Sequence, residues 1–214
     1  MNEHLQTVNE MRAVTISREY GSGGGEIAAQ LAQRLGWQVI DHAIVQRVAQ
    51  ALATNQAEVE AHDEHVEGVL TRLLNDLRYI DPNALAYAPP LGAVLSDEVY
   101  RAAVARVVRA AAEQGQVVIV GRGSQVLLAE RRDVLRVRIS APLEQRIASV
   151  MQSEGVDQPE AASRVHTKDQ ERTRYLESGY HREPGDADLY DLVLNLSRID
   201  PASAVNMLCL MLSH

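Results

Sequence analysis

A glycine-rich stretch and a set of arginines carry most of the chemistry that this sequence offers. Residues 13–27 read Ala-Val-Thr-Ile-Ser-Arg-Glu-Tyr-Gly-Ser-Gly-Gly-Gly-Glu-Ile. The β-branched run at the start predicts a strand, and Ile27, Leu31 and Leu35 recur at helical spacing after the glycines. A tight glycine loop between a strand and a helix binds phosphate, because its amides and the helix N-terminus attract an anion. The alternative is a loop that only turns the chain.

The predicted phosphate cradle is Gly21, Ser22, Gly23, Gly24, Gly25 and Glu26. Arg18 leaves the predicted strand just before this loop. Its guanidinium is therefore a candidate for the positive charge beside a donor phosphate. The competing interpretation is that Arg18 pairs with Glu19 or Glu26 and only shapes the loop.

A second candidate for anion binding is Arg122. It follows the continuous apolar run Val117–Val120, which is typical of a central strand in a parallel sheet. Ligands of open α/β sheets bind at the carboxyl ends of the strands, so Arg122 is a candidate anion clamp. The alternative is a surface ion pair.

A third group of cations falls on a predicted helix that begins near Pro159. Arg164, Lys168 and Arg172 are spaced four apart and share one helix face, with Arg174 nearby. Asp169 is placed to brace Arg172 from three residues away. The stripe is either a solvated helix face or a lid that grips phosphate.

The elements that must position these residues alternate between strand and helix. Apolar runs predict strands at 13–16, 37–40, 117–120, 134–140 and 189–195. Helical periodicity fills the intervals; Asp41 is placed to cap a helix on which Arg47 flanks the apolar stripe. This alternation predicts an α/β fold with a mostly parallel sheet covered on both faces.

Composition limits the function class. The chain has 214 residues, a formal net charge of −8 and 46% hydrophobic residues, which predicts one medium domain and argues against general nucleic-acid binding. No run is long enough to cross a bilayer, and the polar first residues are not a signal peptide, so we expect a cytoplasmic protein.

His62 and His65 have a spacing that some metal sites use, but a solvated helix face is favoured, and metal ligands stay unassigned.

With these residues placed, the chain resembles the cytidylate kinases. It is most similar to the cytidylate kinase-like group, whose first strand runs into Ser-Arg-Glu-Tyr-Gly-Ser-Gly-Gly. Residues 35–41 followed by Arg47 resemble the family's Leu-Gly-Trp…Leu-Asp segment and the arginine on its next helix. Gly121-Arg122 resembles its Gly-Arg-Asp motif, and residues 169–174 resemble its arginine-rich lid.

The resemblance implies a three-layer P-loop kinase fold: a five-stranded parallel sheet in the order 2-3-1-4-5, flanked by helices, with a helical lid. Residues 1–12 would be a flexible N-terminal segment, and 13–214 a single domain. Within that domain, residues 54–95 or so would form a helical insert that binds the nucleoside monophosphate, and the lid would span about 153–185.

The resemblance also implies a function. ATP, with Mg²⁺, would donate its terminal phosphoryl group to a nucleoside monophosphate, with CMP or dCMP as the expected acceptor. The partners would be small-molecule nucleotides, not nucleic acid or a membrane. The glycine loop would hold the donor; the expected substrate-binding residues are Asp41, Arg47, Arg122, Arg164 and Lys168. The residues expected at the transferred phosphoryl group are Arg18, Asp169, Arg172 and Arg174.

The loop departs from the standard phosphate-binding motif Gly-x-x-x-x-Gly-Lys-[Ser/Thr]. Arg18 occupies the first glycine position, and Gly24 occupies the lysine position. Glu26 stands where cytidylate kinases have a metal-binding threonine. A nucleotide-binding sensor or regulatory protein of the same fold, without catalysis, is therefore the alternative function.

Overall fold

A computed structural model describes residues 11–45, 47–48 and 96–212 of the chain. The predicted insert at 54–95 lies outside the described residues. Of the predicted N-terminal segment, only Met11 and Arg12 are described. Met11 packs against the core, and the amide of Arg12 donates to the carbonyl of Asp133 at 2.8 Å.

The secondary structure alternates as the sequence predicts. The strands are β1 (Ala13–Arg18), β2 (Gln38–Ile40), β3 (Val117–Val120), β4 (Val134–Ser140) and β5 (Leu192–Asn195). The helices are α1 (Gly24–Leu35), α2 (Asp97–Gln114), α3 (Ser124–Leu127), α4 (Leu143–Glu154), α5 (Gln158–Tyr180) and α6 (Pro201–Leu212). A short helix after β2 includes residues 42–45 and 47–48.

All five strands belong to one parallel sheet in the order β2-β3-β1-β4-β5. In the central strand, Ile16 lies beside Val120 on one side and Val137 on the other. The carboxyl ends of β1 and β3 therefore meet at one edge of the sheet. The predicted order 2-3-1-4-5 is confirmed.

The apolar core lies on both faces of this sheet, which gives the protein three layers. Successive residues of β1 contribute to opposite faces, Ala13 to one and Val14 and Ile16 to the other, because side chains alternate along a strand. Helix α2 and the short helix after β2 cover the first face. Helices α1 and α6 cover the second.

The fifth strand is shorter than predicted. Residues Ala187–Leu189 form a 3-10 turn, and β5 begins only at Leu192. Asp191 explains the change, because its carboxylate forms an ion pair with Arg136 at 2.6 Å and its amide donates to the Arg136 carbonyl at 2.8 Å. The 3-10 turn therefore precedes the ion pair of Asp191, and β5 begins to pair with β4 only after it.

The glycine loop between β1 and α1 is closely packed. Gly21 has a left-handed backbone (φ +75°), and a Cβ added there would lie 2.5 Å from the carbonyl oxygen of Arg146 in α4. A Cβ on Gly24 would lie 2.6 Å from Cβ of Arg18, whereas one on Gly25 would meet nothing within 4 Å. Glycine is therefore required at 21 and 24 but not at 25.

This packing predicts opposite effects for two alanine substitutions in the loop. We expect Gly21→Ala to lower the free energy of unfolding by at least about 2 kcal/mol, since it adds a left-handed backbone penalty to a collision with backbone. Gly25→Ala, the matched control in the first turn of α1, should raise it by about 0.5 kcal/mol. Urea unfolding measures both, and equal stabilities would contradict the packing of this loop against α4.

Candidate functional site

A cleft of about 810 Å³ opens at the carboxyl edge of the sheet. Its floor is formed by residues 17–20 at the end of β1 and by Gly121, Arg122 and Gly123 after β3. Helix α5 covers the cleft with residues between Lys168 and Leu176. This edge is the position at which open α/β sheets bind ligands.

The cleft gathers positive charge in a protein whose net charge is −8. Its basic side chains are Arg18, Arg122, Arg138, Lys168 and Arg172. Carboxylates lie beside some of these cations; the pairs are Arg138 with Glu19 at 3.4 Å, Lys168 with Glu171 at 2.9 Å, and Arg172 with Asp169 at 3.6 Å. These carboxylates offset part of the positive charge of the cleft.

Arg18 is a half-buried cation beside other cations. Burial, together with the charges of Arg172 and Arg122, lowers the pKa of Arg18 to about 10, although Asp41 opposes the shift. Among the described residues, no carboxylate oxygen lies within 4.0 Å of its guanidinium. A cation held in this way is stabilised by an anion that enters the cleft.

Two glycines make room for the Arg18 side chain. Its Cβ lies over Gly24 at the start of α1. Its Nη1 approaches Gly121 so closely that a Cβ on Gly121 would collide with it. The guanidinium therefore reaches from β1 to the end of β3, where Arg122 begins the next segment.

Aromatic rings hold Arg122 in place. Its backbone is left-handed (φ +58°), and its guanidinium lies 6.0 Å from the ring centroid of Tyr100 in α2 and 5.7 Å from that of Tyr175 in α5. These are cation–π distances. The ring of Tyr180 packs over Gly123, where a Cβ would come within 2.6 Å of it. The carboxyl-terminal half of α5 is thus docked on the end of β3.

Asp169 docks the middle of α5 on the glycine loop. One carboxylate oxygen accepts the amide of Tyr20 at 2.8 Å, and the other accepts Nη1 of Arg146 at 2.5 Å. Arg172, one turn further along α5, donates to the carbonyl of Arg18 at 3.0 Å and lies 5.3 Å from the Tyr20 ring centroid. These contacts fix the backbone that leads from β1 into the loop.

Two predicted lid cations lie away from the cleft. Arg164 pairs with Glu154 at 2.5 Å and with Glu160 at 2.8 Å on the outer side of α5. Arg174 is exposed and does not line the cleft. Of the predicted stripe, the structure brings Lys168 and Arg172 to the cleft.

The predicted phosphate cradle borders the start of α1 rather than the cleft wall. Gly23 caps α1 with a left-handed backbone and no side-chain hydrogen bond. The amides of the first turn, at residues 24–26, have no acceptor within the helix. Ser22 is turned toward the protein instead, because its hydroxyl donates to the carbonyl of Glu19 at 2.8 Å.

Asp41 and Arg47 follow β2 and are not among the residues that line the cleft. The Asp41 carboxylate caps the short helix after β2 by accepting the amides of Ala43 at 2.9 Å and Ile44 at 3.0 Å. This confirms the predicted cap. Arg47 is half-buried on the same short helix.

Sequence reasoning missed His42 and Gln125, which both line the cleft. Each follows the end of a strand by a few residues. A polar residue at such a position is the feature of the sequence that could have predicted them. Burial, followed by the charge of Arg122, lowers the pKa of His42. The His42 ring is therefore neutral at pH 7.

His42 predicts a specific pH dependence of stability. Its folded-state pKa lies below the ordinary value of 6.5, so the unfolded chain takes up the proton first and stability falls as pH drops below about 6.5. We expect His42→Asn to make the free energy of unfolding less sensitive to pH between about 7 and 5. Urea unfolding at several pH values measures this, and parallel curves for the two proteins would contradict it.

Asp169 predicts a loss of stability on neutralisation. We expect Asp169→Asn to lower the free energy of unfolding by about 2 kcal/mol, because it leaves the half-buried Arg146 with only the longer contact to Glu19 at 3.5 Å. Glu160→Gln removes an exposed ion pair of the same helix and should change it by at most about 0.5 kcal/mol. Thermal and urea unfolding compare the two, and similar losses would show that Asp169 does not anchor α5.

Known proteins share sequence and fold with this chain. The sequence model of the cytidylate kinase-like family matches residues 13–198. A cytidylate kinase from Methanopyrus kandleri is 35% identical over 98 residues, which are 42% of this chain and 51% of that protein. The chain thus spans about half the length of the curated relative that it matches.

Among solved structures, an uncharacterized protein from Eubacterium ventriosum superposes with a TM-score of 0.68 at 20% identity. The superposition covers 94% of this chain and 98% of that one. This likeness shows the shared fold. Within the described residues, no helix is long and apolar enough to cross a membrane.

Proposed function

The chain belongs to the cytidylate kinase-like family, with the three-layer P-loop kinase fold that its sequence predicts, and on this premise we propose that it transfers the terminal phosphoryl group of ATP to a nucleoside monophosphate. CMP or dCMP is the acceptor that the family suggests. One observation carries the proposal: the half-buried Arg18 lies at the end of β1 among the charges of Arg122 and Arg172, and its pKa is lowered to about 10. Such a cluster favours a multiply charged anion.

Phosphoryl transfer requires what this cleft offers. An oxygen of the acceptor phosphate attacks the γ-phosphorus, and the bond from that phosphorus to the bridging oxygen of the leaving diphosphate breaks. Negative charge is spread over the peripheral oxygens in the transition state, so catalysis is mainly positioning and charge stabilisation. No side chain has to act as the nucleophile.

The residues divide between the two substrates by position. The first-turn amides of α1 and the glycine loop are assigned to the donor phosphates. Arg122 and Arg47, on the β3 and β2 sides, are assigned to the acceptor phosphate. Arg18 lies between these groups and is assigned to the transferred phosphoryl group, with Arg172 beside it. At neutral pH Arg18 is charged, because its pKa of about 10 is well above 7.

The remaining predicted residues act indirectly in this proposal. Asp169 is a positioning residue, because it holds the Tyr20 amide and Arg146 rather than facing a substrate. Asp41 orients the short helix that carries Arg47. Lys168, on α5, lines the cleft and is assigned to stabilise the negative charge of the phosphates. Arg164 and Arg174 receive no role in the docked arrangement of α5.

Magnesium fits the donor side of the site. The described residues contain no group of three or more metal-binding side chains, but Mg²⁺ bound to a nucleotide needs only one or two carboxylates besides phosphate oxygens and water. Glu26 is exposed in the first turn of α1 and would hold the ion with the donor phosphates. The ion would neutralise charge on those phosphates.

The second candidate function is nucleotide binding without turnover. It is favoured by the loop, which carries no lysine and has no room for one, since a side chain at Gly24 would collide with Arg18. Under this alternative ATP raises the melting temperature of the protein, but ATP with CMP yields no ADP.

The experiment on Arg18 separates these functions. With ATP, Mg²⁺ and CMP, we expect Arg18→Ala to lower kcat by about 100-fold or more, since it removes a preorganised charge at the transferred group. Arg132→Ala, an exposed arginine just before the amino end of β4, should leave kcat unchanged. ADP release measures both variants. Equal kcat in the wild type and Arg18→Ala would overturn the role of Arg18, and a wild type without ADP release would overturn the kinase.

A further inference from the structure

The turn that follows Arg122 buries two polar side chains without partners. Ser124 is 0% exposed and Gln125 is 2% exposed. Among the described residues, neither the Ser124 hydroxyl nor the Gln125 carboxamide oxygen has a hydrogen-bond partner. Buried polar groups are almost always satisfied, because leaving one unpaired costs free energy. Each of these two therefore requires an explanation.

Only one of the two lines the cleft. Gln125 belongs to the cleft wall together with Arg122 and Gly123, whereas Ser124 does not. A molecule in the cleft is therefore positioned to satisfy the Gln125 carboxamide but not the Ser124 hydroxyl. The carboxamide lies three residues beyond the guanidinium that is assigned to the acceptor phosphate.

We propose that Gln125 determines acceptor specificity by hydrogen bonding to the base of the monophosphate whose phosphate Arg122 holds. This inference rests on the proposed function of the same cleft. A carboxamide offers an acceptor oxygen and donor N–H groups side by side. Cytosine offers the complement, an exocyclic amino group beside a ring nitrogen that accepts. The buried oxygen of Gln125 takes the amino hydrogen, and its NH₂ group donates to the ring nitrogen.

A phosphate dianion does not satisfy the unpaired oxygen of the Gln125 carboxamide. The unsatisfied atom of Gln125 is an oxygen, and an oxygen acceptor needs a donor, which a phosphate dianion does not have. The donors of a nucleoside monophosphate lie on its base and its sugar. Ribose 5-phosphate, which has the sugar but no base, distinguishes the base from the sugar as the group that Gln125 binds.

The test compares binding of CMP and of ribose 5-phosphate by calorimetry, together with the melting temperature. We expect Gln125→Met, which keeps length and removes both hydrogen bonds, to weaken CMP binding about tenfold or more. Its affinity for ribose 5-phosphate should be unchanged. Its melting temperature should not fall, since an unpartnered buried polar group is removed. Gln125→Leu is a second variant with the same expected results.

Ser124→Ala is the matched control. It removes the neighbouring unpartnered hydroxyl outside the cleft and should leave the affinity for CMP unchanged. An unchanged CMP affinity in both Gln125 variants would overturn the proposal, and so would an equal loss of affinity for ribose 5-phosphate.

Binding without turnover separates the two proposals. If the wild type binds CMP, the Gln125 variants lose it and no ADP is ever formed, Gln125 is the base-reading residue of a site that is not a kinase. If the wild type turns over CMP and the Gln125 variants do so with an unchanged KM, the kinase holds and the role of Gln125 is wrong. A wild type that binds neither CMP nor ribose 5-phosphate overturns both.

Discussion

The site depends on one half-buried cation, Arg18, whose side chain lies in a slot that two glycines leave open. Gly24 on α1 and Gly121 after β3 both lack the Cβ that would collide with this side chain. The slot brings the guanidinium close to Arg122 and Arg172, and this crowding, with burial, lowers the pKa of Arg18 to about 10. Folding therefore places charge where it is least favourable without a ligand, and an anion in the cleft relieves the repulsion.

Helix α5 forms one wall of this site. Asp169 joins it to the backbone at Tyr20, and the Tyr175 ring joins it to Arg122. The two anchors lie on successive turns of the same helix, about 9 Å apart along its axis. A movement of α5 would therefore disturb the strand end that leads into the glycine loop and the strand end that carries Arg122 together. The helix therefore connects the end of β1 with the end of β3.

The sequence predicts the fold better than the site. The alternation of strands and helices follows from periodicity, and the strand order from the family resemblance. The meeting of Arg18 with Arg122 follows from the shared carboxyl edge of parallel strands. Spacing also puts Arg164 and Arg172 on one face of α5, but the two are eight residues, or about 12 Å, apart along the axis, and only the later one reaches the cleft. The docking of α5 by Asp169, and the burial of Gln125, depend on tertiary packing that spacing does not encode.

The loop exchanges one source of positive charge for another. A standard phosphate-binding loop carries its lysine on the helix, whereas here the cation comes from the strand, and its Cβ occupies the space at position 24. The two arrangements exclude each other, since the Cβ of a lysine at 24 would collide with the Arg18 side chain. We therefore propose that Arg18 supplies the positive charge that the lysine supplies in a standard loop. In the proposed transfer, the guanidinium on the strand is assigned to the side of Arg122, between donor and acceptor, where the charge of the transferred group is greatest.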